Sequence, residues 1–303
     1  MTVLVIGGAG FIGSHVVRRL RAEGERVRVL DNLSTGKASH LDADVELVQG
    51  DIRSRHDLDQ ALRGVHAVLH LAALTSVVRS WESPVEVLDV NVQGTVNAVE
   101  SARAAGVHTF IYSSSSSVYG DQAATTKSES MPPKPISPYG HSKLVAEQYT
   151  LARGGELRVL ALRYFNIFGP GQDPDSPYAA VIPRFLTHAA HGTTAVIDGD
   201  GLQSRDFTFV DNAVHANLLA LRAVSGGVAL NIACGRSATL LDLVREIERV
   251  SGCPLHVEHG SPRAGDIRHS LADIRLAASA IGYRPVVHFE DGIARTYGAY
   301  ARA

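Results

Sequence analysis

The fold of this chain is decided by its first strand and loop, Val3-Leu4-Val5-Ile6-Gly7-Gly8-Ala9-Gly10-Phe11-Ile12-Gly13. The four apolar residues predict a buried strand, and residues 12–22 predict the helix that follows it. Glycines at 7, 10 and 13 allow a tight turn, close approach of the backbone to a pyrophosphate, and close packing of helix on strand. The N–H groups at the start of that helix can then hold the phosphates. The stretch therefore predicts a dinucleotide-binding βαβ unit.

The identity of the dinucleotide depends on the end of the second predicted strand, residues 26–30. That strand runs into Asp31, which lies 18 residues after Gly13. A carboxylate at roughly this spacing (about 20 residues) hydrogen-bonds the adenosine ribose hydroxyls. It would also repel the extra phosphate of NADP, so the sequence favours NAD as the cofactor.

Strand and helix patterns alternate as far as residue 166. Strands are predicted at 2–6, 26–30, 45–48, 66–71, 107–113 and 157–163, and helices at about 12–22, 56–63, 84–105 and 138–153. Such alternation predicts an α/β fold with a doubly wound parallel sheet (Rossmann), whose ligands lie beyond the carboxyl ends of the strands. Beyond residue 166 the alternation breaks down, with helices at about 179–191, 211–224, 239–250 and 291–302 and strands at 195–198 and 228–232. We therefore expect a smaller, discontinuous substrate-binding region as well.

A candidate proton acceptor lies in Ser137-Pro138-Tyr139-Gly140-His141-Ser142-Lys143. Pro138 can begin a helix, and side chains four residues apart on a helix share a face. A free tyrosine has a pKa of about 10, and a cation beside it lowers that value. Tyr139 and Lys143 are thus predicted to form a general base that works near neutral pH. Taken alone, the same spacing is also compatible with an exposed helix pair.

Composition and charge exclude several functional classes. The net charge is −2, from 29 basic and 31 acidic residues with the signs interspersed, so we expect no nucleic-acid partner and no membrane partner. The early apolar run stops at Gly7, which favours a strand over a signal peptide. Cys234 and Cys253 are far apart in sequence and predict buried thiols in a reducing, cytoplasmic compartment. The 14 histidines are scattered, so no metal site is expected.

With both ends of the chain considered, the sequence resembles the extended short-chain dehydrogenase/reductase superfamily. Within it, the chain is similar to nucleotide-sugar 4-epimerases of the UDP-glucose or UDP-N-acetylglucosamine type. The superfamily is indicated by residues 7–15, 31–36, 50–52, 70–73, 113–121 and 139–143, and the nucleotide-sugar class by residues 162–169, 205–207 and 263–266. The resemblance covers essentially the whole chain. It implies an isomerase with tightly bound NAD that inverts C4 of a UDP-hexose through a transient 4-keto sugar, and it implies a homodimer.

The resemblance also implies a division of the chain and a set of site residues. The NAD-binding domain would comprise residues 1–166 and about 208–233, and the nucleotide-sugar-binding region about 167–207 and 234–303. The catalytic residues would be Ser115, Tyr139 and Lys143. The cofactor contacts would be Gly7, Gly10, Phe11, Ile12, Gly13, Asp31, Asn32, Asp51, Ile52, Leu71, Ala72, Ala73, Asn91, Tyr139 and Lys143. Asn91 would either lock a loop or touch the cofactor, or be an ordinary polar helix residue.

The substrate contacts implied by the resemblance come mainly from the second half of the chain. They are Thr75, Ser117, Asn166, Val181, Ile182, Arg205, Arg263, Asp266 and Ser270. The two arginines would clamp the diphosphate, because the planar guanidinium bonds phosphate in two places. Ser270 would lie near the C2 substituent of the sugar, where its small size leaves room for an N-acetyl group.

Other reactions on the same scaffold remain alternatives. Sugar-nucleotide dehydratases carry an Asp-Glu pair where this chain has Ser116 and Ser117, and UDP-glucuronate decarboxylases typically carry Glu at the second of these positions. A UDP-glucuronate 4-epimerase stays open, since its serine-rich loop is similar. A non-catalytic dinucleotide sensor would usually have lost Tyr139 or Lys143, and both are present.

Overall fold

A parallel sheet of seven strands forms the centre of the described chain, which in this computed structural model comprises residues 1–155, 157–174, 180–261 and 268–301. Its strands are β1 (Thr2–Ile6), β2 (Arg26–Asp31), β3 (Glu46–Gln49), β4 (Ala67–His70), β5 (Thr109–Ser115), β6 (Arg158–Tyr164) and β7 (Val228–Ile232). The order in the sheet is β7-β6-β5-β4-β1-β2-β3. The chain therefore winds outward in both directions from β1, which places the switch in strand order between β1 and β4. The predicted α/β doubly wound fold is confirmed.

Strand β1 lies at the middle of the core because both of its faces are covered. Val3 and Val5 belong to one hydrophobic cluster, whereas Leu4 and Ile6 belong to another, and all four side chains are fully buried. A continuous apolar run is typical of a parallel strand with helices on both sides.

The helices differ from the predicted pattern in one segment that matters for the site. They are α1 (Phe11–Ala22), α2 (Arg55–Ala61), α3 (Val77–Glu82), α4 (Pro84–Leu88), α5 (Gly94–Ala104), α6 (Pro138–Ala152), α7 (Val181–His191), α8 (Val210–Arg222), α9 (Leu240–Ser251), α10 (Arg275–Ile281) and α11 (Phe289–Tyr300). The single helix predicted at 84–105 is divided into α4 and α5 by a π-helical turn, Asp89–Gln93. Such turns are frequent at functional sites, and this one contains the buried Asn91.

Short strand pairs outside the seven-stranded sheet join segments of the later part of the chain. Thr126–Lys127 pairs with Leu271–Ala272, and Ser204–Arg205 pairs with Ala238–Thr239. Two further pairs join Ile167–Phe168 to Thr208–Phe209 and Ala195–Asp198 to Val257–Gly260. Each pair brings together segments that are far apart in sequence.

Two smaller expectations from composition can be compared with the structure. Cys234 and Cys253 are both free thiols, but Cys253 is exposed rather than buried because it follows the end of α9 at the surface. Among the helices that the structure describes, none is both long and apolar enough to cross a membrane.

Candidate active site

One cavity of about 2080 Å³ contains most of the predicted site residues. A site for one small ligand typically measures about 300–1,000 Å³, so this cavity has room for two ligands. The predicted residues on its wall are Gly7, Gly10, Phe11, Ile12, Gly13, Asp31, Asn32, Asp51, Ile52, Leu71, Ala72, Ala73, Thr75, Ser115, Ser117, Tyr139, Lys143, Asn166, Arg205 and Ser270. The cavity extends from the ends of β1 and β2 to the segments that carry Arg205 and Ser270.

The glycines of the first loop differ in how strongly their surroundings exclude a side chain. Gly7 has φ +80°, and a Cβ there would lie 2.5 Å from the backbone nitrogen of Ala72. A Cβ on Gly13 would lie 2.1 Å from the carbonyl oxygen of Gly7, so this residue allows α1 to pack on β1. Gly10 is the N-cap of α1, and among described residues its Cβ would approach only the Gly7 oxygen, at 3.3 Å. Packing of the chain therefore restricts a side chain at Gly10 less than at Gly7 or Gly13.

Asp31 is held by the loop that it faces. Its carboxylate accepts hydrogen bonds from the backbone N–H groups of Ala9 and Leu33, both at 2.9 Å. Each oxygen accepts one of these bonds and retains a further lone pair, which is what a ribose hydroxyl requires. The first loop and the end of β2 thus fit the dinucleotide that the sequence predicts.

The far end of this part of the cavity is formed by Asn32, Asp51 and Ile52. The Asn32 amide donates to the Asp51 carboxylate at 3.0 Å, and Arg53 pairs with the same carboxylate at 2.8 Å. The hydrogen bond from Arg53 holds the pKa of Asp51 well below its usual range. Asp51 is therefore ionised at neutral pH and keeps Asn32 in place beside the cavity.

Helix α6 carries the predicted Tyr139–Lys143 pair into the cavity. The Ser137 hydroxyl accepts from the Gly140 N–H at 3.1 Å, and Pro138 is the first helical residue, so the start of the helix is well defined. Tyr139 and Lys143 are both buried. The Lys143 ammonium lies 4.5 Å from the centroid of the Tyr112 ring on β5.

The electrostatics of this pair differ from the sequence expectation. Burial raises the pKa of Tyr139, and the opposing contribution is a hydrogen bond with the Ser115 hydroxyl. Burial also lowers the pKa of Lys143 to about 7, against the opposing charge of Glu147. For both groups the loss of hydration on burial is the largest cause of the pKa shift, and this desolvation was not visible in the helical spacing.

Ser115 lies at the end of β5 within a chain of hydroxyl groups. Its oxygen accepts from the Ser117 N–H at 3.2 Å and from the Ser117 hydroxyl at 2.9 Å. Its own hydroxyl hydrogen is thus left for the Tyr139 oxygen. The arrangement suits a group that stabilises a phenolate and a reacting oxygen together.

Asn91 occupies a position behind the cavity wall. Its amide oxygen accepts from the Leu74 N–H at 2.8 Å, and its amide nitrogen donates to the Leu74 carbonyl and the Ser142 hydroxyl, both at 3.0 Å. The side chain is buried and fixes the segment that contains Ala72 and Thr75 against α6. Of the alternatives that the sequence left open, this geometry favours the loop-locking role over direct contact with a cofactor.

The opposite wall of the cavity contains Asn166, Arg205 and Ser270. Asn166 is exposed and has φ +36°, an uncommon conformation for a residue other than glycine. Arg205 donates to the backbone oxygen of Ser204 at 2.9 Å, and the Ser270 N–H donates to the same oxygen at 3.1 Å. Arg205 and Ser270 are therefore held on one piece of backbone.

Four predicted substrate contacts are not placed on the cavity wall by the structure. Ile182 is 2% exposed and lies in the hydrophobic core, and Val181 packs against that core. Helix α7 turns these apolar side chains inward, so the predicted contact between the Ile182 side chain and the substrate is wrong. The neighbouring residues Ala180 and Pro183 line the cavity instead. Arg263 and Asp266 lie outside the described residues.

Sequence reasoning missed a buried ion pair beneath the catalytic residues. Glu147 on α6 and Arg163 on β6 form two hydrogen bonds, at 2.9 and 2.6 Å, and both residues are buried. The signal available in the sequence was the recurrence of a charged residue four positions after Lys143, although nothing local showed that it would face inward.

The doubly wound sheet, the glycine loop and the Tyr139–Lys143–Ser115 cluster define a class of dinucleotide-dependent enzymes that act on hydroxyl groups. Within the described ranges, no group of three or more His, Cys, Asp or Glu side chains could hold a metal ion. The model of the NAD dependent epimerase/dehydratase family matches residues 3–233, and the chain belongs to this family.

Individual relatives resemble this chain over nearly their whole length. The chain is 38% identical to the UDP-glucose 4-epimerase of Mycolicibacterium smegmatis, covering 98% of this chain and 97% of the relative. A crystal structure of UDP-glucose 4-epimerase with UDP-glucose from Thermotoga maritima superposes with a TM-score of 0.95 at 35% identity, over 100% of this chain and 99% of the other. UDP-N-acetylglucosamine 4-epimerase from Methanobrevibacter ruminantium M1, in complex with UDP-N-acetylmuramic acid, superposes with a TM-score of 0.94 at 36% identity, over 99% and 98%.

Proposed function

We propose that this protein is an NAD-dependent UDP-hexose 4-epimerase, an isomerase that interconverts UDP-glucose with UDP-galactose and also the N-acetylated pair. The observation that carries the proposal is the single cavity of about 2080 Å³, which has the dinucleotide loop at one end, Tyr139 in the middle and Arg205 with Ser270 at the other. The activities named for the relatives support the same reaction.

The chain supplies the proton transfers and the orientation of the sugar. NAD held by the glycine loop and Asp31 would supply a reversible hydride acceptor for C4 of the sugar and the positive charge of its nicotinamide ring. Tyr139, as the phenolate, accepts the proton of the 4-hydroxyl and later gives it back. When the sugar binds, the one hydroxyl hydrogen of Ser115 turns from the Tyr139 oxygen to the reacting oxygen, and Lys143 provides a cation that favours the phenolate. Burial of Tyr139 and Lys143, with Ser115 half-buried beside them, limits the access of water to the proton transfer.

The nucleotide part of the substrate is held by the opposite wall. Arg205 and Asn166 contact the diphosphate, with Arg263 as a second cation and Asp266 on the ribose. Thr75 and Ser117 contact the sugar, and the wall formed by Ala180 and Pro183 lies near the uracil. In this proposal residues 1–166 and about 208–233 form the NAD-binding domain, and about 167–207 and 234–303 form the nucleotide-sugar-binding region. The cross-links between Ser204–Arg205, Ala238–Thr239 and Ser270 support that division.

Substrate breadth rests on Ser270. Its side chain is small and buried at the cavity wall, where the short strand Leu271–Ala272 begins next to it. A serine leaves space for an acetamido group at C2, so the enzyme accepts UDP-N-acetylglucosamine or its galacto epimer as well as the plain sugars.

A homodimer through α4 and α6 is part of the same proposal. Val85 and Leu88 on α4 are 78% and 45% exposed, and Val145 on α6 is 46% exposed. These two helices pack against each other, so their apolar side chains form one surface that a second copy would cover. The paucity of cysteines favours a cytoplasmic protein.

The proposed function is tested with purified protein. Denaturation should release NAD without any having been added, because each cycle regenerates the cofactor. NMR of reactions with UDP-glucose, UDP-N-acetylglucosamine and UDP-glucuronate should show the 4-epimers of the first two. Turnover of UDP-glucuronate alone would replace the proposal by the glucuronate 4-epimerase, and release of mainly NADP would contradict the role of Asp31.

A further inference from the structure

Glu147 lies on α6, one helical turn beyond Lys143, and is 2% exposed. Its carboxylate receives the two hydrogen bonds from Arg163 and a third from the Ser114 hydroxyl, at 2.6 Å. A buried carboxylate that accepts three hydrogen bonds, two of them from a guanidinium, is fixed in position. None of the roles assigned above to the cofactor or the substrate uses this residue.

The contacts of Glu147 lead to two parts of the catalytic cluster. Ser114 is the residue before Ser115 on β5, so its hydrogen bond to Glu147 fixes the end of the strand that presents the Ser115 hydroxyl. Lys143 is four residues before Glu147 on the same helix, a spacing that places the two side chains on one face. The carboxylate thus pairs directly with Arg163 and acts on Lys143 through its charge, across one turn of the helix.

Among the described groups around Lys143, Glu147 supplies the negative charge that acts on it. Burial opposes the phenolate forms of Tyr112 on β5 and Tyr139 on α6, because it raises the pKa of each; the positive charge of bound NAD favours the phenolate of Tyr139 in the proposed reaction. Burial lowers the pKa of His70 on β4 to about 3, so this ring is neutral. Tyr119, from the turn after β5, donates to Asn231 and accepts from Arg163. Glu129 acts on Arg163 from the far side, and burial raises its pKa.

We infer that Glu147 is a positioning residue for the active site: it holds Lys143 in its charged form and fixes the strand end that carries Ser115. Removing the carboxylate leaves the buried Arg163 without its ion-pair partner and takes away the negative charge that acts on Lys143. Lys143 then loses its proton at lower pH, because burial already opposes its charge. The significance for catalysis rests on the proposed function, but the charge of Lys143 can be measured without turnover.

The charge of Lys143 can be measured directly because the chain contains few lysines. The sequence contains only four lysines, Lys37, Lys127, Lys134 and Lys143. Protein labelled with ¹³C at the lysine Cε and saturated with NAD therefore gives four signals, and the Lys143 signal is identified by its loss in Lys143→Met. Its pH titration is compared in wild type, Glu147→Gln, Glu147→Asp and Ser114→Ala.

In Glu147→Gln the Lys143 midpoint should fall by about one to two pH units, the effect expected for one charge at this range in a protein interior. Glu147→Asp should restore much of the difference. Ser114→Ala keeps the carboxylate and should leave the midpoint within a few tenths of a unit. Since Glu147→Gln strands the Arg163 cation and can unfold the chain, the isosteric double variant Glu147→Gln/Arg163→Met provides a second test, in which the midpoint should fall by less.

The inference is overturned if the titration midpoint of Lys143 is unchanged in Glu147→Gln or in the double variant, whichever is folded. It is also overturned if Ser114→Ala lowers the midpoint as much as Glu147→Gln does, because that would assign the effect to packing. The alkaline limb of the kcat–pH profile should move down with the midpoint, whereas a purely structural role would lower kcat at every pH without moving the limb. If wild type turns over no UDP-sugar, the proposed function fails while the titration still decides the role of Glu147.

Discussion

The two ends of the active-site cavity are built in opposite ways. The dinucleotide end consists of short, contiguous motifs whose polar groups bond to their own neighbours, as Asp31 does with the N–H groups of Ala9 and Leu33. The nucleotide-sugar end is assembled from separate segments that meet through two-residue strand pairs, with Arg205 and Ser270 meeting at the Ser204 carbonyl. The first end is preorganised by local backbone geometry and the second by tertiary packing.

This difference indicates which residues determine the specificity of the protein for each ligand. A dinucleotide site made from backbone groups and the carboxylates of Asp31 and Asp51 is rigid before any ligand binds. A substrate site made from separate segments can change one wall without disturbing the other. Substitutions at the two ends should therefore separate cofactor retention from substrate binding, and substitutions between them should affect turnover alone.

The largest effect is expected where the two ends meet, at Tyr139. Tyr139→Phe removes the proton acceptor and should lower kcat at least ~10²-fold, the usual scale for a general base, while both NAD and UDP remain bound. Tyr149→Phe is the matched control, since its phenol lies farther along the same helix and bonds Glu100. Near-normal turnover in Tyr139→Phe would show that another group is the base.

Arg205→Ala should weaken substrate binding without affecting cofactor binding. Loss of a charge-assisted contact to the diphosphate should weaken UDP binding by roughly 1.5–3 kcal/mol, measured by calorimetric titration, with the NAD content unchanged. Arg249→Ala is the control, because that arginine pairs with Glu246 at the surface of α9. Unchanged UDP affinity would remove Arg205 from the site, and loss of NAD would contradict the separation of the two ends.

Ser270→Tyr should change which sugars the substrate end accepts. The ring should fill the space next to the sugar C2 and lower kcat/KM for UDP-N-acetylglucosamine by roughly 10-fold or more, about the effect of losing 1.4 kcal/mol, while sparing UDP-glucose. The ratio of the two kcat/KM values is the measurement. An equal loss for both sugars would show that residue 270 does not select the C2 substituent.

The smallest effect concerns stability. Burial lowers the pKa of Lys143 to about 7 in the folded protein, below its unfolded value of about 10.4. Between these two values unfolding takes up a proton, so stability rises with pH across that window. Lys143→Met should remove this pH dependence and, at pH 7, stabilise dinucleotide-free protein by on the order of 1 kcal/mol, as measured by denaturant unfolding.

The control for this experiment is Lys134→Met, whose side chain is exposed. It should leave the free energy of unfolding and its pH dependence unchanged. A destabilised Lys143→Met would show that the ammonium contributes favourable contacts that outweigh its burial.

Much of the dinucleotide end could be predicted from sequence because its determinants are local. A buried strand, three glycines and a helix start specify a phosphate-binding turn through backbone geometry alone, and Gly7 does have the positive φ of such a turn. The helical spacing of Tyr139 and Lys143 likewise needed no knowledge of the rest of the chain, and both do lie on the wall of the same cavity.

Other features could not be read from the chain because they depend on packing between distant segments. The π turn at Asp89–Gln93 directs Asn91 toward Leu74 and Ser142, although its sequence continues a helical pattern. The inward position of Ile182 depended on which face of α7 meets the core. Periodicity shows that a helix has an apolar face, but not what that face contacts.

The sequence by itself determined the strand–loop–helix, the carboxylate that follows β2 and the Tyr139–Lys143 pair, because each depends on backbone conformation or helical spacing within a few residues. The tertiary structure alone decided the charge state of the catalytic residues. Whether Lys143 keeps its proton depends on burial and on Glu147, whose own position depends on Arg163 from a neighbouring strand. A pKa reflects the whole surroundings of a group, and those surroundings exist only in the folded chain.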